Sequence, residues 1–462
     1  MIHQYQNNGY NIVLDVDSGS VHIVDDCAYA LIARMSEDRT LTDEAVQREF
    51  SGSFPQQDIS DALEEIHSLE QAGQLFTEDI YRDAVIDFKS RPTVVKALCL
   101  NVAHDCNLAC RYCFAEEGEY HGRRALMSEE AGRQALDFLV AHSGNRHNLE
   151  VDFFGGEPLM DWDVVKKLVA YGRSIEKEKN KHFRFTITTN GVLLNQEIMD
   201  FCNREMDNVV MSLDGRREVH DHMRPFRNGK GSYDLIVPKF QEFARQRKAL
   251  GKQYYIRGTY THYNLDFAQD VIHFADLGFD QLSMEPVVAP KEADYAIRPE
   301  DIPVIRQQYD ILAQEMIRRQ KEGRGFTFFH FMIDLTGGPC VYKRLSGCGS
   351  GTEYLGVTPW GDLYPCHQFG GNEKFLLGNV KDGFTAEGEE IISQFKCCNV
   401  YSRKECRTCF ARYYCSGGCA ANSYNFHGTI NDVYEIGCEL ERKRVESAIM
   451  IKAALADQAE EE

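Results

Sequence analysis

Between residues 94 and about 320 the chain alternates short apolar runs with long amphipathic ones, and that alternation restricts the fold more than any other feature. Strand-like runs fall at residues 94–102, 149–154, 183–189, 208–213, 254–260 and 279–285. The intervening segments 128–142, 162–179, 196–204, 233–250 and 265–277 are each long enough for a crossover helix. Six such repeats predict an α/β fold with a parallel sheet, doubly wound or curled into a partial barrel. Folds of this kind place their sites at the C-terminal edge of the sheet. Three cysteines, Cys106, Cys110 and Cys113, follow the first strand at that edge.

A C-x3-C-x2-C triplet offers three thiolates to a four-iron cluster and leaves the fourth iron free to bind a small molecule. Zinc is the competing reading, but a structural zinc takes four protein ligands, and the only nearby fourth would be His104. Sixteen cysteines in a chain of 462 residues could also signal disulfides. Disulfides belong to oxidising compartments and small secreted frameworks, however, and Met1 to Gly9 has neither a basic nor an apolar signal region. Metal ligation and a cytoplasmic location are therefore expected. No run reaches the roughly 18 to 20 apolar residues of a membrane span. The net charge of −20 argues against nucleic acid or anionic membrane as partners.

The first 90 residues carry 18 Asp and Glu against 4 Arg and 1 Lys. Alternating runs at 10–16 and 20–25, joined by Asp17-Ser18-Gly19, predict a β-hairpin. Helical spacing predicts helices at 28–35, 42–50 and 58–72, with Gly73 capping the last, and 74–77 could return as a strand. A hairpin with three helices is winged-helix-like. So acidic a module would be repelled by phosphate, and an extended peptide added to its sheet edge suits it better. A packing appendage is the alternative.

Past residue 325 the chain turns to Gly, Cys and aromatics without long periodic helices, and ten of the sixteen cysteines lie from Cys340 to Cys438. Such a segment would need metal to staple it. Cys348 is followed by Gly361 and Cys366, then by Cys406-x2-Cys409-x5-Cys415-x3-Cys419 and, after eighteen residues, Cys438.

With Tyr112 before its third cysteine and Phe114 after it, the triplet resembles that of the radical S-adenosylmethionine enzymes. The resemblance continues in Gly155-Gly156-Glu157-Pro158 after the second strand, a turn that in that family receives the amino group of the methionine moiety. It implies further that Ser212 contacts the ribose and Arg224 the cofactor carboxylate, and that the Thr188-Thr189-Asn190-Gly191 turn adds polar contacts. The C-terminal cysteine spacing resembles the SPASM domain, which carries two auxiliary four-iron clusters. That resemblance assigns Cys406, Cys409, Cys415 and Cys438 to one cluster, and Cys348, Cys366 and Cys419 to the other. Many members supply the latter with a fourth cysteine a few residues after the first, but Gly349-Ser350-Gly351-Thr352-Glu353-Tyr354 stand here. Either Cys340 completes that cluster or its fourth iron is open to a substrate thiolate. His367 is placed to orient or deprotonate a group nearby, or to tune the cluster by hydrogen bonding. The adjacent Cys397 and Cys398 could exchange thiols with a cysteine-rich substrate.

The N-terminal region resembles the PqqD-type recognition element, and residues 2–19 are especially similar to the maturases of six-cysteine (SCIFF) peptides. The resemblance as a whole implies a partial (β/α)6 radical barrel at 91–325, preceded by a leader-binding domain at 1–90 and followed by a SPASM domain at 326–462. It implies S-adenosylmethionine and three [4Fe-4S] clusters as cofactors, and a flavodoxin or ferredoxin as electron donor. The substrate would be a cysteine-rich precursor peptide, crosslinked through a thioether from a Cys sulfur to an acceptor residue such as threonine. Two alternatives are oxidation of Cys or Ser to formylglycine, as by anaerobic sulfatase maturases, and a non-enzymatic iron–sulfur electron carrier.

Overall fold

The computed structural model describes residues 1–82, 88–120, 122, 124–335 and 340–461. At its start, strands β1 (Ile2–Asn7), β2 (Tyr10–Asp15) and β3 (Val21–Val24) form an antiparallel sheet in that order. Helices Asp26–Glu37, Asp43–Phe50 and Gln56–Gln71 follow. Asp25 and Thr42 cap the first two by accepting from the N–H three residues on. Val13, Leu31, Ile32, Val46, Ile59, Leu63 and Ile66 make a separate small core.

Two expectations for this region change. Strand β1 extends the predicted hairpin to three strands, turning through Asn8 and Gly9, both at positive φ (50° and 84°), as a type I′ turn requires. Residues 74–77 do not form a strand. They are instead held by the buried Asp15 carboxylate, which accepts from the N–H of Thr77 at 2.9 Å and from its hydroxyl at 2.5 Å.

The six predicted barrel strands are all present: β4 (Ala97–His104), β6 (Asn148–Gly155), β7 (His182–Thr189), β8 (Asn208–Ser212), β9 (Tyr255–Tyr260) and β10 (Gln281–Pro286). They run parallel and pair in that order, with the short β5 (Ala125–Leu126) antiparallel on the end of β4. Each carries one apolar face buried under the crossover helices; Phe183 and Phe185 of β7, for example, fill the space beside Gly172 of helix Trp162–Lys179. The alternate positions, such as Asp152, Phe154, Thr186, Thr188, Ser212 and Arg257, are less buried and face the open side of the curved sheet.

The parallel sheet does not stop at residue 325. At one edge β11 (Thr327–Phe328) adds parallel to β10; at the other, β12 (Tyr354–Val357) lies parallel to β4 with Tyr354 opposite Ala97. Beyond β12 the sheet turns antiparallel through β13 (Asp362–Tyr364), β14 (Gly378–Asn379) and β15 (Gly383–Phe384).

The expectation of no long helices past residue 325 is overturned by helices Ala386–Cys397 and Glu435–Glu461. The second packs against helix Ile302–Lys321 and against β1 and β2. Covered on several sides, it shows no single apolar stripe, so its sequence reads as irregular. Its charges find partners inside the protein: Arg444 donates to the Tyr309 hydroxyl at 2.9 Å and pairs with Glu285 at 3.2 Å. Strand β1 packs on it as well, with the Tyr5 hydroxyl donating to the Glu446 carbonyl at 2.9 Å.

Candidate functional site

Strand β4 is buried along its whole length and delivers the chain to the loop carrying Cys106, Cys110 and Cys113. The N–H groups of Ala109 and Arg111 donate to the carbonyls of Pro225 and Met223, each at 2.9 Å, so the loop is fastened to the segment holding Arg224. The three thiols repel one another as anions. Burial pushes Cys106 up to about 11 and Cys110 up to about 12, while Arg224 pulls both down. Thiols held protonated in this way give up their protons to a bound cation. The side-chain amide nitrogen of Asn107 is buried without a hydrogen-bond partner beside them.

Gly155 and Gly156 bring their turn against the chain that leads into this loop. A Cβ on Gly156 would lie 2.1 Å from the Asp105 carbonyl oxygen, and one on Gly155 2.4 Å from that of Ala103. Gly155 also sits at φ 128°. The bare backbone lets the Gly156 and Glu157 N–H groups donate to those carbonyls at 2.7 and 2.9 Å. The buried Glu157 carboxylate accepts from the N–H groups of Leu159 and Asn190 and from the Thr189 hydroxyl, all at 2.8–3.0 Å. Three donors leave it one free lone-pair direction for an incoming cation. Burial raises it to about 7 in spite of those bonds.

Arg224 is placed differently from the simple expectation. Its Nε lies 2.9 Å from Oδ1 of the fully buried Asp214, which also accepts from the Tyr112 hydroxyl and the Thr259 N–H. Part of the guanidinium is thereby committed within the protein, next to Cys110. Ser212 ends β8, and Phe114 is half exposed with its ring against Tyr120 and His367. His104 does not act as a partner for the triplet: its ring packs between Tyr120 and Trp360 with neither nitrogen hydrogen-bonded.

The C-terminal cysteines gather into two groups. Cys406, Cys409, Cys415 and Cys438 line one cavity together with Arg412 and Arg442. Burial pushes Cys406 up to about 11 and Cys438 up to about 12, each reinforced by the other cysteines of the group. Cys348, Cys366 and Cys419 form the second group; burial raises Cys366 to about 12, and Cys419 and Cys348 push it further the same way. Among the described residues no three His, Cys, Asp or Glu side chains close on a point as a single ion demands. A four-iron cluster takes its thiolates at separate corners, and wider groups of this kind suit it.

Cys340 stands exposed at the start of the short helix Val341–Ser346. The additional sulfur facing Cys348 is Cys398, which is buried and accepts a bond from Arg403 Nη2 at 2.9 Å. The sequence marked it only by its adjacency to Cys397, as a thiol for exchange, and not as a neighbour of Cys348. His367 is enclosed by Phe114, Phe154 and Tyr354, whose hydroxyl lies 3.2 Å from its Nδ1. Burial lowers it to about 4, with Arg257 on the open face of the sheet acting in the same direction.

Comparison with known proteins follows the same outline. The chain is 24% identical over 348 residues to a cysteine-type anaerobic sulfatase-maturating enzyme of Clostridium novyi, covering 72% of this chain and 90% of that one. The solved structure of native anSMEcpe with bound AdoMet superposes with a TM-score of 0.63 at 21% identity, covering 78% of this chain and 99% of that one. Streptococcus suis SuiB bound to S-adenosylmethionine superposes with a TM-score of 0.51 at 16% identity, over 93% of this chain and 97% of that one. Residues 100–277 match the Radical SAM superfamily, and these strands and loops constitute a Radical SAM superfamily domain.

Proposed function

We propose that this protein is a radical S-adenosylmethionine enzyme that forms a thioether crosslink in a cysteine-rich precursor peptide. The observation that carries the reading is the arrangement of ten cysteines in three groups around one sheet: the loop after β4, the group holding Cys348, Cys366 and Cys419, and the four-cysteine cavity. Each group would hold one [4Fe-4S] cluster, and the open iron at the triplet would bind S-adenosylmethionine. These cofactors supply a 5′-deoxyadenosyl radical and a route for single electrons.

The remaining work falls to the chain. Gly155 and Gly156 seat the turn that receives the methionine end, Glu157 offers its free lone pair to the ammonium, and Arg224 brings positive charge to the carboxylate side. Ser212 would contact the ribose. Tyr112, bonded to Asp214, and Phe114, against Tyr120 and His367, pack around the cluster loop. The peptide's acceptor residue, plausibly a threonine, and its cysteine would lie on the open face of the sheet, where His367 and Asp152 can take the thiol proton. Cys348, Cys366 and Cys419 would leave one coordination position for that sulfur, with Cys340 and Cys398 the protein sulfurs that could compete for it.

The N-terminal module would hold the leader of the precursor. Among the described residues strand β3 pairs with β2 alone, and its other edge can accept a peptide strand, whereas β1 packs against the helix Glu435–Glu461. SuiB, a structure of which is bound to its precursor peptide SuiA, matches this chain over 92% of its length. Formylglycine formation is the second reading, favoured by the likeness to sulfatase maturases.

Mass spectrometry of the reconstituted protein with a short cysteine-rich peptide separates the readings. Loss of two mass units with a new crosslink is expected. An aldehyde on a Cys or Ser would favour the alternative, and no deoxyadenosine would leave an electron carrier. Deleting residues 1–82 should abolish leader binding and spare uncoupled S-adenosylmethionine cleavage.

A further inference from the structure

Five arginines are buried among the described residues, and four of them are matched within the protein. Arg319, Arg412 and Arg444 pair with carboxylates. Arg247 donates to the carbonyls of Cys202, Met206, Asp207 and Gln253. Arg403, only 3% exposed, has neither arrangement. Its Nη2 donates to the Cys398 sulfur at 2.9 Å and to the Ile430 carbonyl at 2.8 Å, while Nε is buried with no hydrogen-bond partner among the described residues. A guanidinium cannot shed its proton in a protein, so this is a buried cation that calls for an anion beside it.

Its position indicates which anion. Cys415 belongs to the four-cysteine group and Cys419 to the group of Cys348 and Cys366, and Gly417 and Gly418 lie between them in the chain. Nη1 of Arg403 rests on that link: a Cβ on Gly417 would lie 3.0 Å from it, and one on Gly418 4.0 Å. Gly417 also lines the four-cysteine cavity. The Cys406 N–H donates to the Arg403 carbonyl at 3.2 Å, which ties the backbone of the arginine to the same group. Burial raises the thiols of Cys398, Cys406 and Cys419, and Arg403 pulls all three down, so its charge is felt in both groups.

We infer that Arg403 is a cation shared by the two auxiliary clusters, and that it raises the reduction potential of both. The inference rests on the cluster reading above, and the unpartnered Nε is the observation that fits it. A four-iron cluster on cysteine thiolates is an anion, and one-electron reduction adds a negative charge to it. A cation fixed in a buried wall favours the reduced form, because low dielectric leaves the attraction largely unscreened. Joining a carbon radical to a thiolate leaves one electron over. The auxiliary cluster that takes it is reduced by one electron, and the peptide product is a closed-shell thioether. Arg403 itself exchanges neither proton nor electron; facing both groups, it makes either of them the better acceptor.

The test is a mediated redox titration of the anaerobic, reconstituted full-length enzyme, followed by EPR. Signals of the triplet cluster are identified by their change on adding S-adenosylmethionine. Arg403→Gln keeps a donor for the Ile430 carbonyl and removes the charge. At a fixed potential it should lower the ratio of reduced to oxidised auxiliary cluster about tenfold, which is about 60 mV for a one-electron couple. Arg403→Lys, which keeps the charge and loses the fork, should stay within about threefold of wild type. The triplet signal should hold its midpoint in both. Gly417→Ala crowds Nη1 without altering the charge and should shift the auxiliary signals the same way by less; if neither Arg403 variant loads iron, unchanged midpoints in Gly417→Ala would overturn the proposal. Unchanged auxiliary midpoints in a fully loaded Arg403→Gln, or an equal shift with lysine, would do the same. Wild-type protein with no iron–sulfur signal beyond that of the triplet would instead overturn the cluster reading itself.

Discussion

Arg224 and Asp214 form an ion pair directly behind the cysteine triplet, with Nε and Oδ1 2.9 Å apart and the Asp214 side chain wholly excluded from solvent. The pair fixes the segment 223–225 to which the cysteine loop is fastened, and it gives the thiols their nearest positive charge.

Replacing Arg224 by methionine leaves the Asp214 carboxylate buried and uncompensated. Such a loss costs about 3–5 kcal/mol. The expected result is a lower urea midpoint together with reduced iron retention at the triplet, both measured anaerobically. Lysine at this position should restore part of the stability but little of the fork-shaped contact.

Gly156→Ala would put a methyl group 2.1 Å from the Asp105 carbonyl oxygen. The turn cannot stay where it is, and backbone strain of this kind costs about 2 kcal/mol or more. On the three-cluster reading proposed above, iron per chain should fall by roughly a third, since one cluster would depend on this loop. Normal iron content with normal S-adenosylmethionine binding would contradict the role given to the turn.

Arg412 links the N-terminal module to the four-cysteine cavity. Its guanidinium, 1% exposed, pairs with Asp17 of the turn between β2 and β3 and with Asp79 at 3.3 Å. Arg412→Leu takes the shared arginine from two buried carboxylates, leaving Asp17 the Met1 ammonium and Asp79 the Tyr401 and Tyr413 hydroxyls. Hydrogen exchange should then rise across residues 1–82, and the module should become sensitive to protease while the barrel stays protected.

Asp152 stands on the open face of the sheet without an ion-pair partner among the described residues. Burial and then Glu150 raise its carboxyl to about 6, against a bond from Thr186 that lowers it. The folded state therefore holds this proton more tightly than the unfolded chain does. Stability from this group falls as pH rises from about 4 to about 6, and the penalty persists at neutral pH. Asp152→Asn should stabilise the protein by about 1–3 kcal/mol at pH 7.5 and by nothing near pH 4, read from urea midpoints at the two pH values. If it also slows crosslinking, Asp152 takes part in moving the thiol proton.

The barrel strands were legible because burial on the helix face demands an apolar residue at every second position, and Phe183, Phe185 and Ile187 meet that demand unmistakably. Strand β1 was not, since Gln4 and Gln6 alternate with His3 and Tyr5, whose partner surface lies more than 400 positions away, at Phe410 and Glu446. The long helix from Glu435 hid for the same reason: Lys443 and Arg444 look like surface residues until Asp310, Tyr309 and Glu285 are placed beside them. In the site, the assignment of the ten cysteines to three sets came from the family resemblance and not from their spacing alone. Cys398 obeys no spacing rule, and only the fold brings it beside Cys348. The two glycines were read as yielding to a ligand; in the structure they yield first to the chain of Ala103 and Asp105.

Strand β12 lies in register on β4, Tyr354 opposite Ala97 and Val357 opposite Leu100. The loop that leaves β4 carries the triplet, and the hairpin of β12 and β13 leads to Cys366. Two neighbouring staves of one sheet thus behave as a ruler. Their spacing of about 4.8 Å is fixed by backbone hydrogen bonds and cannot drift with the motion of loops. A substrate that must reach from one site to the other is measured against a rigid length, so its own reach, rather than any closure of the protein, decides which atoms can be joined.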